Sequence, residues 1–142
     1  MKTVAQLLKA KPAGMISIRP DAPVAEAVRL LADKNIGAIL VVDNERLVGI
    51  VSERDYLRKV AFGGKSPEKT PVSEIMTRQV MFVTPAQTNE DCMALMTDKH
   101  IRHLPVIDND KVVGVLSIGD LVKDLISEQQ FIINQLVNYI HG

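Results

Sequence analysis

Displaced by 65 residues, the chain matches itself without a gap. Pro20 falls on Pro85, Leu30 on Leu95, Asp33-Lys34 on Asp98-Lys99, and Ile36 on Ile101. Further along, Val41 meets Val106, Asp43-Asn44 meets Asp108-Asn109, and Val48-Gly49 meets Val113-Gly114. Ser52 then falls on Ser117 and Asp55 on Asp120. A fixed register held this long is an internal duplication, so what one copy folds into the other must fold into as well.

Each copy carries the same order of signals. A short strand is expected at Met15–Ile18 and again at Val80–Val83, each leading through a proline into an amphipathic helix. In the first copy Val24, Ala27, Val28 and Leu31 recur at helical spacing. In the second, Thr88 and Asp91 form a capping box ahead of a stripe of Cys92, Leu95 and Met96. Two β-rich runs follow, Ala38–Val42 with Leu47–Val51, and Leu104–Ile107 with Val112–Leu116. They are joined by Asp-Asn-Glu and Asp-Asn-Asp, which suit hairpin turns. A second helix begins at Ser52 or Ser117. The expected fold class is α/β (α+β): two β-α-β-β-α units packed with pseudo-two-fold symmetry, plus a C-terminal helix.

The expected boundaries are residues 1–62 for the first unit, 63–71 for a polar Gly/Pro-punctuated linker, 72–125 for the second unit and 126–142 for the terminal helix. Val4–Leu8 reads as a lead-in to the first unit and Val72–Met76 as a short helix leading into the second. From Ile126 to Ile140 the apolar residues Ile126, Ile133, Leu136, Val137 and Ile140 make a broad helical face. Each unit already has two helices for its sheet, so this face is expected to pair in a homodimer.

Composition narrows the function classes. The 17 basic and 17 acidic residues cancel, so no global field recruits nucleic acid or an acidic membrane. A single cysteine, Cys92, excludes an internal disulfide and a multi-cysteine zinc cage. The start of the chain is too short and polar in its apolar stretch for a signal peptide, and no run approaches a membrane span, so a cytoplasmic location is expected.

The duplicated unit, closed in each copy by Gly-hydrophobic-hydrophobic-Ser-x-x-Asp, resembles the cystathionine-β-synthase (CBS) domain pair, or Bateman module. The resemblance is carried by Gly49-Ile-Val-Ser-Glu-Arg-Asp55, Ile75-Met76-Thr77, Ile101-Arg-His-Leu-Pro-Val106 and Gly114-Val-Leu-Ser-Ile-Gly-Asp120. It implies two clefts that bind AMP, ADP, ATP, NAD(H) or S-adenosylmethionine, and regulation of a partner protein by a conformational shift. The effector is unknown from the sequence. In the family pattern the Asp accepts both ribose hydroxyls, while Arg102 and His103 point to phosphate. The resemblance thus places ligand-binding residues at Ile50, Ser52, Arg54, Asp55, Val80, Met81, Ile101, Arg102 and His103. The register partners and neighbours of these add Ile18, Ile36, Gly37, Ala38, Val115, Ser117, Gly119 and Asp120. In that pattern the closing Asp of one copy faces the residues before the central strand of the other: Asp55 faces 101–103 and Asp120 faces 36–38. The Asp55 cleft is then the one rich in phosphate donors.

Plainer readings stand beside these. Both Ser-x-x-Asp motifs are also helix-capping boxes. His100 and His103 lack a third ligand nearby, and no metal cofactor is expected. Gly63-Gly-Lys-Ser66 imitates the end of a phosphate-binding P-loop, but Lys59 stands where its first Gly must be and Pro67 breaks the following helix. Glu53, Arg54, Arg58, Lys59 and Lys65 read as a solvated charged face. No nucleophile elbow or paired carboxylates appear, and the chain is expected not to be an enzyme. The alternatives are a structural dimerisation module with vestigial clefts and, less favoured, a nucleotide-processing enzyme.

Overall fold

The repeat of 65 residues reappears in the backbone. Among the described residues six non-glycine residues have positive φ, and they form three pairs at that spacing: Asn35 with His100, Asn44 with Asn109, and Glu45 with Asp110. The computed structural model that shows this describes residues 1–11 and 15–141. Asn35 and His100 close two eleven-residue helices, α2 (Val24–Lys34) and α4 (Asn89–Lys99), in the left-handed conformation that ends a helix and frees the chain to turn. The other two pairs sit at the tips of hairpins, where consecutive left-handed residues match the twist of the flanking strands.

The preceding helix, α1 (Val4–Lys9), and strand β1 (Ser17–Ile18) lead to the first hairpin, β2 (Ala38–Asp43) and β3 (Arg46–Ser52). β1 pairs parallel with β2, Ser17 opposite Leu40 and Ile18 opposite Val41. β2 pairs antiparallel with β3, with an irregularity between Val41 and Val42. A four-residue helix α3 (Glu53–Tyr56) follows, continued by a π-turn at Leu57–Ala61 and, later, a 3-10 turn at Val72–Glu74. The second hairpin is β4 (His103–Asp108) and β5 (Lys111–Ser117), and helix α5 (Ile118–His141) ends the description.

Three expectations change. The strand expected at Val80–Val83 is reduced to an isolated parallel bridge between Val83 and Val106, the register partners of Ile18 and Val41. Pro105 stands where the first copy has Leu40; its carbonyl accepts from Val83 N–H at 3.0 Å, but it has no N–H to extend the ladder. The terminal helix is not a separate element at 126–142: α5 runs unbroken for 24 residues from the second Ser-x-x-Asp motif. Finally, the expected second helix of the first copy is only one α turn before it widens.

The two compact units do not follow the sequence boundaries. One comprises Met1–Ala13, Val83–Val106 and Gly114–Gly142, the other Gly14–Phe82 and Ile107–Val113, with 12–14 and 142 outside the described residues. The lead-in segments are exchanged. Val4 and Leu7 of α1 pack with Val83, Cys92, Met96, Leu104, Val106, Leu116 and Leu121, all from the second copy. Val72, Ile75 and Met76 pack with Ile18, Val24, Ala27, Leu31, Ile39, Val41 and Val51 of the first. Backbone bonds fix both: Val4 N–H donates to Gln87 C=O at 2.7 Å, and Val72 N–H to Ala22 C=O at 2.8 Å. Gln87 and Ala22 are themselves 65 residues apart, so the two lead-ins dock at equivalent places.

Burial follows the expected stripes. Val24, Ala27 and Leu31 of α2 are buried, with Val28 packed beside them, and Cys92 and Met96 of α4 are buried with Leu95 beside them. α4 also buries Asn89, whose Nδ2 donates to Asp124 Oδ2 at 2.8 Å and to Leu121 C=O at 3.2 Å. Lys2 sits 3.1 Å from the other oxygen of Asp124, which keeps that buried carboxylate paired.

Candidate functional site: two capped carboxylates

Each Ser-x-x-Asp motif forms at the join between the last strand of its copy and the following helix. In the first, Ser52 N–H donates to Asp55 Oδ2 at 2.9 Å, and Asp55 N–H donates to Ser52 Oγ at 3.1 Å. In the second, Ser117 N–H donates to Asp120 Oδ2 at 2.8 Å, and Asp120 N–H to Ser117 Oγ at 3.2 Å. Both are reciprocal capping boxes, so the plain structural role is real. It uses Oδ2 of each carboxylate and leaves Oδ1 out of the cap. The side chains are 14% and 22% exposed, half-sunk just beyond a strand end.

Backbone bonds show what lies beside each carboxylate within its own copy. Ile118 N–H donates to Arg102 C=O at 2.9 Å, so the segment before β4 abuts the second copy's own capping box. Glu53 N–H likewise donates to Gly37 C=O at 3.1 Å in the first copy. The first contact brings the Arg102 backbone beside the Asp120 box, and His103 next to it feels the charges of Lys11 and Asp120. Within its own copy, Asp120 thus neighbours the Arg102–His103 segment, and Asp55 neighbours Gly37. A chain that turns from strand into helix at Ser-x-x-Asp leaves its first helical N–H groups beside the start of its hairpin partner, which fixes this local pairing.

Two lysines outside the expected site residues stand against the carboxylates. Lys11 Nζ is 2.8 Å from Asp120 Oδ2 and also donates to Val115 C=O at 2.8 Å. Lys59 Nζ is 3.6 Å from Asp55 Oδ1 and donates to Ile75 C=O at 2.9 Å. Lys59 lies four residues beyond Asp55, and that spacing carries the signal of the pair. Lys11 gave no such signal, because 109 residues separate it from Asp120.

The charges mould one another. Burial alone would raise the Asp120 pKa; the hydrogen bond from Lys11, the Ser117 N–H and the Lys11 charge outweigh it and hold the carboxyl below its ordinary value. His103 is pushed down, first by burial and then by the positive charges of Lys11 and Arg102, with Asp120 opposing. It is thus a neutral imidazole at neutral pH, with one N–H to donate and one nitrogen to accept.

The other sequence-derived candidates fall into three environments. Ile18 is buried in the core of its unit at 5% exposure. Ile36, Ala38, Ile50, Val80, Ile101 and Val115 are half-buried. Gly37, Arg54, Met81, Arg102 and Gly119 are exposed, and a Cβ added at Gly37 would meet nothing within 4 Å. Ile50 is tied down by reciprocal backbone bonds with Thr77 of 2.8 and 3.0 Å. A separate groove of about 440 Å³, lined by Met1, Lys2, Ser127, Glu128, Phe131 and Ile132, includes none of these candidates. Among the described residues no group of three or more His, Cys, Asp or Glu side chains could hold a metal ion. No helix among them is long and apolar enough to cross a membrane.

The CBS domain model matches residues 10–61 and 72–127. The chain belongs to the CBS-domain family, as a CBS pair. It is 40% identical over 127 residues to the mitochondrial CBS domain-containing protein CBSX3 of Arabidopsis thaliana, covering 86% of this chain and 62% of that one. The chain therefore spans about three fifths of that relative's length. A solved CBS-domain structure from Burkholderia ambifaria is 50% identical, with a TM-score of 0.83 over 90% of this chain and 96% of that one. The CBS pair of protein MJ0100, solved with 5′-methylthioadenosine and S-adenosyl-L-methionine, shares the fold at a TM-score of 0.76 and 24% identity, over 90% of this chain and 98% of that one.

Proposed function

We propose that this CBS pair is a regulatory sensor of adenosyl ligands. The observation that carries the reading is the pair of half-buried carboxylates, Asp55 and Asp120. Each has one oxygen spent on a capping box and the other outside it. A carboxylate anchored in this way is preorganised to accept a ribose hydroxyl without reorganising its helix. The fold's occurrence with bound 5′-methylthioadenosine and S-adenosyl-L-methionine in MJ0100 supports an adenosyl class of ligand. AMP, ADP, ATP and NAD(H) are the nucleotides to be tested with them. Ribose sits on Asp55 or Asp120; phosphates at the Asp120 site turn toward Arg102 and His103.

The protein acts without chemistry of its own, and a ligand-dependent shift is read by an effector protein. The homodimer is part of this reading: the outer half of α5 exposes Ile126, Ile132, Ile133, Leu136, Val137 and Ile140, and a second copy of the same helix covers them.

A thermal-shift series with adenosine, AMP, ADP, ATP, NAD⁺, NADH and S-adenosylmethionine tests the sensor reading. A ligand at 100 times its Kd should add about 2.7 kcal/mol to stability. Flat midpoints across the whole series, at millimolar concentrations, would remove the reading. Recovering each nucleotide unchanged after prolonged incubation with Mg²⁺ is the expected outcome for a non-enzyme.

A further inference from the structure

We infer that Lys11 selects for negatively charged ligands at the Asp120 site. The inference rests on the adenosyl-ligand reading and adds to it a residue outside the repeated motifs.

Lys11 follows α1, the lead-in helix that packs with the second copy, and is held there by Val4 and Leu7 in the core. Its ammonium reaches the Ser117–Asp120 box and makes two contacts of 2.8 Å, to Val115 C=O and Asp120 Oδ2. An ammonium has three N–H donors, so one remains. The side chain is 31% exposed, which leaves that donor accessible from solvent. Lys11 bonds the carboxylate oxygen already used by the cap, so Oδ1 need not be vacated for a ribose hydroxyl to bind.

The charge count in this neighbourhood favours an anion. Lys11 and Arg102 contribute two positive charges and Asp120 one negative, while His103 is kept neutral by burial and by the same two cations. The Lys11 charge is held in place by its two bonds, so a ligand bearing phosphate meets it without further ordering. The first copy lacks this arrangement. Lys59 lies 3.6 Å from Asp55, and the segment beside that box is Gly37-Ala38, which carries no charge.

The test uses the full chain carrying Asp55→Ala, so that titrations report the Asp120 site, with adenosine and AMP each measured at low and moderate salt. In that background AMP is expected to bind at least about ten-fold more tightly than adenosine, and the preference to shrink with salt. Adding Lys11→Met should bring the AMP-to-adenosine ratio down to within about three-fold. Adding Lys11→Arg instead should keep the preference, because the charge is retained. Thermal midpoints of all three proteins show whether the variants remain folded, and the arginine protein carries the test if the methionine one does not. An unchanged ratio in a folded Lys11→Met protein, or loss of the preference in a folded Lys11→Arg protein, overturns the inference. Failure of every protein to bind either ligand would instead overturn the adenosyl reading beneath it.

Discussion

Gly49 faces Met76 so closely that a Cβ on the glycine would lie 2.7 Å from Sδ and 2.9 Å from Cγ, with Thr77 C=O also at 2.9 Å. Its register partner, Gly114, faces Leu8, where an added Cβ would lie 2.8 Å from Cδ2. These are the glycines of the two Gly-hydrophobic-hydrophobic-Ser-x-x-Asp motifs, and both lie within strands, β3 and β5. They are small because the exchanged lead-in segments press on them: Met76 on one, Leu8 on the other.

Alanine at the two positions should therefore cost different amounts. At Gly49 a backbone carbonyl is among the obstructing atoms and cannot swing away, so Gly49→Ala should destabilise by about 2–3 kcal/mol. At Gly114 the obstruction is the flexible end of a leucine, and Gly114→Ala should cost about 1 kcal/mol. Urea unfolding of both proteins, compared at equal m-value, checks the order. Equal losses would mean that the lead-in segments do not press on the two strands as described.

Asp55→Ala and Asp120→Ala should each weaken one adenosyl site by about 1.5–3 kcal/mol, or roughly ten-fold or more, with the fold retained. Loss of the cap adds about 1 kcal/mol of destabilisation in both. The Asp120 variant should lose more stability, because Lys11 at 2.8 Å would be left unpaired and Lys59 is already 3.6 Å from its partner. Calorimetric titration of both variants and a denaturation curve for each make the comparison. Normal ligand binding by both would dismiss the ribose assignment.

Much of this architecture was legible because a duplicated sequence reports twice. The hairpin turns are an example: Asn44-Glu45 and Asn109-Asp110 were readable from residue type, and both pairs have positive φ. The helix stripe Val24, Ala27, Leu31 needed only periodicity. What could not be read was anything set by chain crossing. Val4 and Val72 each look like the start of the copy that follows, because local sequence says nothing about which sheet a segment docks on. Lys11 was invisible for the same reason: its partner is decided by where α1 packs, not by spacing. The expected facing of Asp55 and residues 101–103 comes from the family pattern, because spacing along the chain says nothing about which segments meet across copies. Within the second copy, the Ile118–Arg102 bond sets the Arg102 backbone beside the Asp120 box.

Cys92 offers a probe of global opening. It is fully buried in α4, and burial, helped by the negative charge of Asp91, pushes its thiol up to about 11. The thiolate is the reactive form, so the native protein should resist iodoacetamide and disulfide reagents at neutral pH. Labelling should proceed at a rate that follows denaturant-induced unfolding. Fast modification of the folded protein would show that the α4 side of the core opens locally.

Truncation after Gln130 should separate the two roles of α5. It preserves Leu121 in the core, Asp124 with its Asn89 and Lys2 partners, and Glu128 near the N-terminus. It removes the exposed apolar residues Ile132, Ile133, Leu136, Val137 and Ile140. Sedimentation velocity should show the full chain as a dimer and the truncated chain as a folded monomer. A full chain that sediments as a monomer at micromolar concentration would rule out the dimer contact.

Acid should destabilise this protein in two steps of the same sign. His103 has a folded pKa below its ordinary 6.5, so as pH falls through that value the unfolded chain gains a proton that the folded chain refuses. Stability is then lost as pH drops below 6.5 and levels off only beneath the folded value. Asp120 is also held low, below 3.8: its contribution is intact above that value and is lost as pH falls from there through the folded pKa. The histidine window opens first, so from about pH 6.5 down to the carboxylate range the histidine accounts for the slope contributed by this pair. His103→Asn should flatten the fall in thermal midpoint across that range and leave the steeper loss below it. Lys11→Met should shrink both steps, since Lys11 lowers His103 by charge and Asp120 by charge and hydrogen bond together. An unaltered midpoint-versus-pH curve in His103→Asn would show that the imidazole is solvated enough in the folded protein to titrate as it does in the unfolded chain.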